Sequence, residues 1–212
     1  MDTELKHLTN KLLKKESPDE VLKAFKTYIE QQGSEIIFNW HPLGFVHSKL
    51  SYIPNIGYLR LHVWLEGDRK TQSPPMPIHD HIFQVNSFIL AGSVTNNIYE
   101  LDSGSGNLYR TYKAEYNNDG SLLTPTEEIL TCNLKNSTNY NKGDFYSVEL
   151  GVFHETTVEN GNFAATLVIE TEKDQTIQPK ILGPTKNSSY TYKRKKCDEP
   201  ILTILKDKLD YK

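Results

Sequence analysis

The 212-residue sequence is poor in cysteine, with two, and equally poor in methionine and tryptophan. Cys132 and Cys197 lie far apart and make no Cys-x-x-Cys pattern. That argues against a disulfide framework and a thiolate zinc site, and leaves both as reduced side chains. No stretch approaches the ~20 apolar residues of a membrane-spanning helix. The opening MDTELKHLTNKLLKKES is too charged to form the apolar centre of a secretory signal. A soluble, cytoplasmic protein without membrane contact is expected. Neither sign of charge dominates, with 24 Lys and Arg against 27 Asp and Glu. Nothing in that balance favours a nucleic acid partner. No glycine-rich loop follows a strand and opens a helix, so no nucleotide and no organic cofactor are expected. Repeats and low-complexity tracts are also missing.

Two helical patterns occupy the first thirty-three residues. Leu5, Leu8, Leu12 and Leu13 fall three or four apart, as do Val21, Leu22, Phe25 and Ile29. Ser17-Pro18-Asp19-Glu20 reads as a helix start with Ser17 as N-cap, and Gly33 as a helix end. From position 36 to about 171 the pattern changes to short runs rich in Val, Ile, Tyr, Phe and Thr, punctuated by Gly, Pro, Asn and Asp. The clearest cover 58–65, 85–91, 93–101, 108–115, 127–134, 144–150, 152–158 and 163–171. No helical pattern separates them, which disfavours a parallel α/β sheet and suits an all-β sandwich or barrel. Residues 178–198 read as a polar, basic connector, in which Lys193-Arg194-Lys195-Lys196 is a solvated charge run. A last amphipathic helix spans 200–211. The expected organisation is one domain: a helical segment 1–33, a β-barrel 34–177, and a connector with closing helix 178–212. Sheet edges or the last helix offer an interface for a homodimer.

The informative segment runs from Pro77 to Gly92 and contains His79-Asp80-His81. Two histidines two apart on a strand point to one face, so their imidazoles can converge on one ion. A third, His154, follows Gly151 where one strand turns into the next. If these strands are neighbours in a closed barrel, His154 completes a facial set of three nitrogens. Imidazole suits Fe(II), Zn(II), Ni(II), Cu(II) or Mn(II).

The order of features is distinctive: His79-x-His81, an apolar strand ending in Gly92, then Gly143-Asp144-x-Tyr146 and Gly151-x-x-His154. Between about Gly57 and Glu172 it resembles the two motifs of the cupin superfamily, a jelly-roll family of antiparallel β-barrels. Within that superfamily the chain looks most like the cysteine dioxygenase branch, the thiol dioxygenases. The likeness implies Fe(II) held by three histidines, here His79, His81 and His154, with dioxygen as co-substrate. Where many cupins carry a glutamate ligand this chain has Val85. The thiol dioxygenases' Ser-x-His-x-Tyr triad reads Thr166, Val168 and Glu170 here, and no cysteine lies near Val85 to form a thioether. These departures argue against cysteine itself as substrate.

Candidates beyond the metal ligands follow from strand parity. Thr156 shares a face with His154; Thr166, Val168 and Glu170 share a face of the next strand; Gln84 lies just beyond the His-x-His pair. A glutamate facing a barrel interior is costly unless paired, so Glu170 is either outside the core or functional. Glu170, Gln84 and Thr166 are therefore the catalytic candidates. Arg60, His62, Thr156 and His47 are the substrate-binding ones. Arg60 offers a bidentate site for a carboxylate, against the favoured alternative of an outward ion pair. His47 lies near the place where thiol dioxygenases carry a substrate-binding Arg. His41 reads as structural or exposed. The function expected is a mononuclear non-haem iron oxygenase acting with dioxygen on a small chelating molecule. The alternatives are a redox-inert Zn, Mn or Ni cupin acting as isomerase, lyase or hydrolase, and a non-enzymatic binding cupin.

Overall fold

The computed structural model describes residues 3–33, 36–67, 69–102, 104–117 and 120–209. Leu5, Leu8 and Leu12 form the buried stripe of helix α1 (Thr3–Leu13). Helix α2 (Pro18–Gln32) starts on Pro18, whose missing N–H is one that the first turn leaves unbonded anyway. Ser17 does not cap α2 with its hydroxyl; its carbonyl instead accepts from the N–H groups of Glu20 and Val21. Lys11 secures the junction, 2.7 Å from Glu16 and 2.8 Å from Glu20. Gly33 ends α2 in a right-handed conformation, φ −57°. What it supplies is space, because a Cβ there would sit 3.0 Å from Leu202.

The β region comprises β1 (Asn39–Trp40), β2 (Val46–Ile53), β3 (Gly57–Trp64), β4 (Val85–Ala91), β5 (Ser93–Leu101), β6 (Asn107–Tyr116), β7 (Gly120–Asn141), β8 (Phe145–Val148), β9 (His154–Thr157) and β10 (Ala164–Thr171). The stretch expected as a connector holds three more short strands: β11 (Ile181–Gly183), β12 (Tyr190–Lys193) and β13 (Lys195–Lys196). Helix α3 (Ile201–Lys208) follows; positions 210 and 211 of the expected closing helix lie outside the described residues. The basic run 193–196 therefore belongs to edge strands, where β13 pairs with β1 and β12 with β7.

One sheet has the order β13-β1-β2-β3-β10-β4-β8, and the second β11-β6-β7-β5-β9 with β12 on β7. All pairings are antiparallel. The result is an antiparallel two-sheet sandwich, and the closed barrel expected from the sequence does not form. The chain also passes between the two sheets at tight turns. Gly92 makes one such crossing, between β4 and β5. Its φ of +68° is left-handed, and a Cβ there would come within 2.0 Å of the Phe163 carbonyl oxygen, so only glycine fits. Strand β7 is far longer than its expected 127–134, because it pairs along different stretches with β12, β6 and β5. Pro125 is tolerated inside it because it falls between the β12 and β5 pairings, where no ladder bond is lost on that side.

The two faces of the first sheet have different fates. Leu59, Leu61 and Val63 of β3 and Ala165, Leu167 and Ile169 of β10 pack under the three helices, against Leu8, Phe25, Ile29, Ile201 and Leu205. Each fully buried Leu or Phe here contributes roughly 1.5–3 kcal/mol. With the other face turned toward the second sheet, β10 is buried nearly end to end. That inner face carries Arg60, His62, Trp64, Thr166, Val168 and Glu170, and it forms one wall of the site.

Candidate metal centre and the recess around it

His79 and His81 do not lie on a regular strand. His79 is instead bridged by its backbone to His154 on β9 and to Ile181 on β11, the two edges of the second sheet. Its N–H donates to the His154 carbonyl (3.1 Å), and the His154 N–H donates back (2.9 Å). Asp80 and Leu182 extend this seam, bonding the Lys180 and Ile78 carbonyls. Asp80 Oδ1 also accepts the Lys180 N–H, so this carboxylate braces the seam rather than an imidazole.

The seam brings three rings together. Centroid separations are 4.7 Å for His79 and His81, 4.8 Å for His79 and His154, and 5.0 Å for His81 and His154. One nitrogen from each lies within 4.8 Å of the other two. Ligation at about 2.0–2.1 Å places such nitrogens roughly 3–3.5 Å apart, so the rings draw in by about an ångström around an ion. His79 Nδ1 is 2.7 Å from the Pro77 carbonyl and His154 Nδ1 3.4 Å from that of Val152. With Nδ1 protonated, these rings would donate to those carbonyls and leave Nε2 for an ion, the outer support that metal-bound imidazoles use. His81 stacks on Phe83 at 4.6 Å.

Burial lowers the pKa of all three rings, His81 well below 6.5 and His154 to about 3. They are neutral at physiological pH and their lone pairs are available. A divalent cation therefore fits this donor set, which no carboxylate joins among the described residues. Val85 is buried in the apolar cluster with Ile89, Tyr146 and Val168.

The space beside the cluster is polar. His41 stacks on Phe45 at 4.3 Å and meets His47 edge-on at 5.6 Å, while His62 lies 4.9 Å from Phe45. Burial pushes His41 and His62 well below 6.5 and His47 to about 4, yet each keeps some solvent contact. Rings that are hemmed in but still partly exposed edge a recess rather than fill a packed core. His41 lies within electrostatic range of both His79 and Arg60, and so between the three-histidine cluster and the wall of β2 and β3. Pro77 and Thr156 border a neighbouring cleft of about 670 Å³, together with Leu43, Arg69 and Thr71.

The remaining expected site residues divide clearly. Arg60 and Glu170 form an inward ion pair, Nε to Oε1 2.6 Å, rather than the outward pair favoured from the sequence. Burial raises the Glu170 pKa and Arg60 opposes that rise. Thr166 faces the recess, its hydroxyl buried without a partner. Thr156 contacts Asn96 and Tyr146 at 3.3 and 3.4 Å. Gln84 is placed differently, its amide held by Glu149 at the surface, 2.6 Å away. Two residues that the sequence left out belong to the recess, His41 and Phe45. The turn His41-Pro42-Leu43-Gly44-Phe45 was their signal, since it returns both rings to one side.

No family model and no curated protein matches the chain. Among solved structures the chain is similar to hydroquinone 1,2-dioxygenase PnpCD in complex with Cd2+ and 4-hydroxybenzonitrile, with TM-score 0.36 and 9% identity over 58% of this chain and 62% of that one. It is also similar to Drosophila melanogaster CENP-C bound to CAL1, with TM-score 0.38 and 8% identity over 70% and 96% of the two chains. A third is E. coli ycfD, with TM-score 0.41 and 13% identity over 76% and 47%. The chain thus spans less than two thirds of the dioxygenase and about half of ycfD. Among the described residues no helix is long and apolar enough to cross a membrane.

Proposed function

We propose that this chain is a cupin-type, mononuclear Fe(II) oxygenase that acts with dioxygen on a small chelating molecule. The observation that carries the reading is the donor set: three neutral imidazoles on one seam, supported by carbonyls and not joined by a carboxylate. His79, His81 and His154 would hold the ion, which supplies redox chemistry and leaves positions for substrate and dioxygen. The chain's own part is orientation and exclusion of water. The His41 and Phe45 stack, His62 and Trp64 wall the recess, and Arg60, His47 and Thr156 offer polar contacts to a substrate. Thr166 and Glu170 are the groups placed to bind or move a proton on its far side, since both keep an unpaired buried oxygen. Gln84 drops out of this set because Glu149 holds it.

Anaerobic loading with Fe(II) followed by nitric oxide tests the reading. A high-spin iron nitrosyl signal, altered by a bound substrate and matched by oxygen uptake, is expected. Tight Zn(II) or Mn(II) binding with no oxygen uptake would replace it with a Lewis-acid cupin. Failure to bind any divalent ion would leave a metal-free ligand-binding module.

A further inference from the structure

The recess continues past the three histidines to a set of charges that metal binding does not use. Arg60 lies in a row that crosses the first sheet: Lys49 on β2, Arg60 on β3, Val168 on β10, Ser87 on β4 and Tyr146 on β8. Glu170, one residue pair away on β10, meets Arg60 with both side chains largely buried, 18% and 9% exposed. The contact is close, but the Nε–H is not aimed at the oxygen, and Glu170 Oε2 has no partner. In the next row, His47 Nδ1 and Thr166 Oγ1 are also buried and unpaired.

The charge around this pair is unbalanced. Lys49 and Lys173 both act on Glu170, and Arg194 acts with Arg60 and Lys49 on His47. Three cations therefore act on this carboxylate and a fourth, Arg194, acts on His47 in the next row, while burial and then the neighbouring Arg60 lower the Lys49 pKa. Tyr116, 74% exposed, lies within electrostatic range of Arg60 and Glu170. Like charges gathered about buried, unpaired donors and acceptors cost stability unless something else occupies the site.

We propose that this end of the recess is a dianion subsite. Arg60, aimed by Glu170, acts with Lys49, Lys173 and Arg194 to bind the doubly charged end of a small substrate, a dicarboxylate or a phosphate monoester. The substrate's other end meets the three histidines. The inference rests on reading the recess as a substrate site, and its test is kept independent of the metal.

Isothermal titration calorimetry on the full chain, stripped of metal with a chelating resin, compares three probes: succinate, phenyl phosphate and succinamate, the near-isosteric monoanion of succinate. Saturable binding of succinate or phenyl phosphate is expected, at least about tenfold tighter than that of succinamate. The tighter of the two dianions identifies the chemistry as carboxylate or phosphate. Arg60→Met combined with Glu170→Gln removes both members of the pair without stranding a charge, and should weaken the dianion by about tenfold or more while the unfolding midpoint stays near wild type. Lys49→Gln with Arg194→Gln leaves Arg60 in place and should bring succinate close to succinamate. Equal affinity for succinate and succinamate, unchanged binding in either double variant, or no binding of either dianion overturns the proposal. Loss of metal binding with dianion binding intact would sink the oxygenase reading alone.

Discussion

Removing Arg60 should destabilise the protein by an amount that depends on pH in a direction fixed by Glu170. Truncation to Met takes away the cation that contacts Glu170, whose side chain is 9% exposed. Breaking a dry buried pair costs about 3–5 kcal/mol; the recess is wetted and Arg60 is 18% exposed, so about 2–3 kcal/mol is expected here. Burial already raises the Glu170 pKa, and Arg60 is the first influence opposing it. In Arg60→Met the folded-state value rises further above the unfolded one. The native state then binds more protons than the unfolded chain, so stability falls as pH rises through that window. Urea denaturation of wild type and variant at pH 5 and pH 8 measures the effect, and the histidines' own titration cancels in the difference. The loss should be small at pH 5, where Glu170 takes a proton, and full at pH 8. Adding Glu170→Gln should return the protein to within about 1 kcal/mol of wild type at both values. A loss that is equal at the two pH values, or larger at pH 5, would refute the burial of this pair.

Two further outcomes test the recess and the sheet crossing. The neutral, buried His41 and His62 and the depressed His47 bind fewer protons folded than unfolded below pH 6.5, so stability should fall as pH drops from there through the folded values. The limit is about 1.4 kcal/mol per pH unit for each ring, less where water reaches it. His41→Gln with His62→Gln should flatten the slope between pH 6.5 and 4.5; an unchanged slope contradicts the placement. Gly92→Ala combines a left-handed φ with a collision against the Phe163 carbonyl, and should cost more than about 3 kcal/mol in chemical denaturation, whereas a near-neutral result would mean that the crossing takes another form.

Much of this molecule could be read from residue spacing, and the failures have physical causes. The stripes of α1 and α2 and the runs of β3, β4, β5 and β10 carry long, unbroken patterns, and each formed where expected. β2 carries no such pattern, because His47 and Lys49, which share a face with Arg60 and His62, are polar, and a bulge interrupts its register between Lys49 and Ser51. β11, β12 and β13 are two to four residues long, too short for periodicity, and are held by backbone pairing that composition does not show. The three histidines were placed together by a strand argument that does not describe them. They meet through a backbone seam across the edges of the second sheet, which no local pattern encodes. The inward face of Arg60 was weighed against an ordinary surface ion pair. Only the pairing of β3 with β10 decides it, by setting Glu170 diagonally opposite.

Metal content of the purified protein and of single-histidine variants bears most directly on the account. One equivalent of divalent metal per chain in the wild type, kept in His41→Ala and lost from both His81→Ala and His154→Ala, is the predicted result. Equal metal content in all four proteins, or none in any after loading, would contradict it.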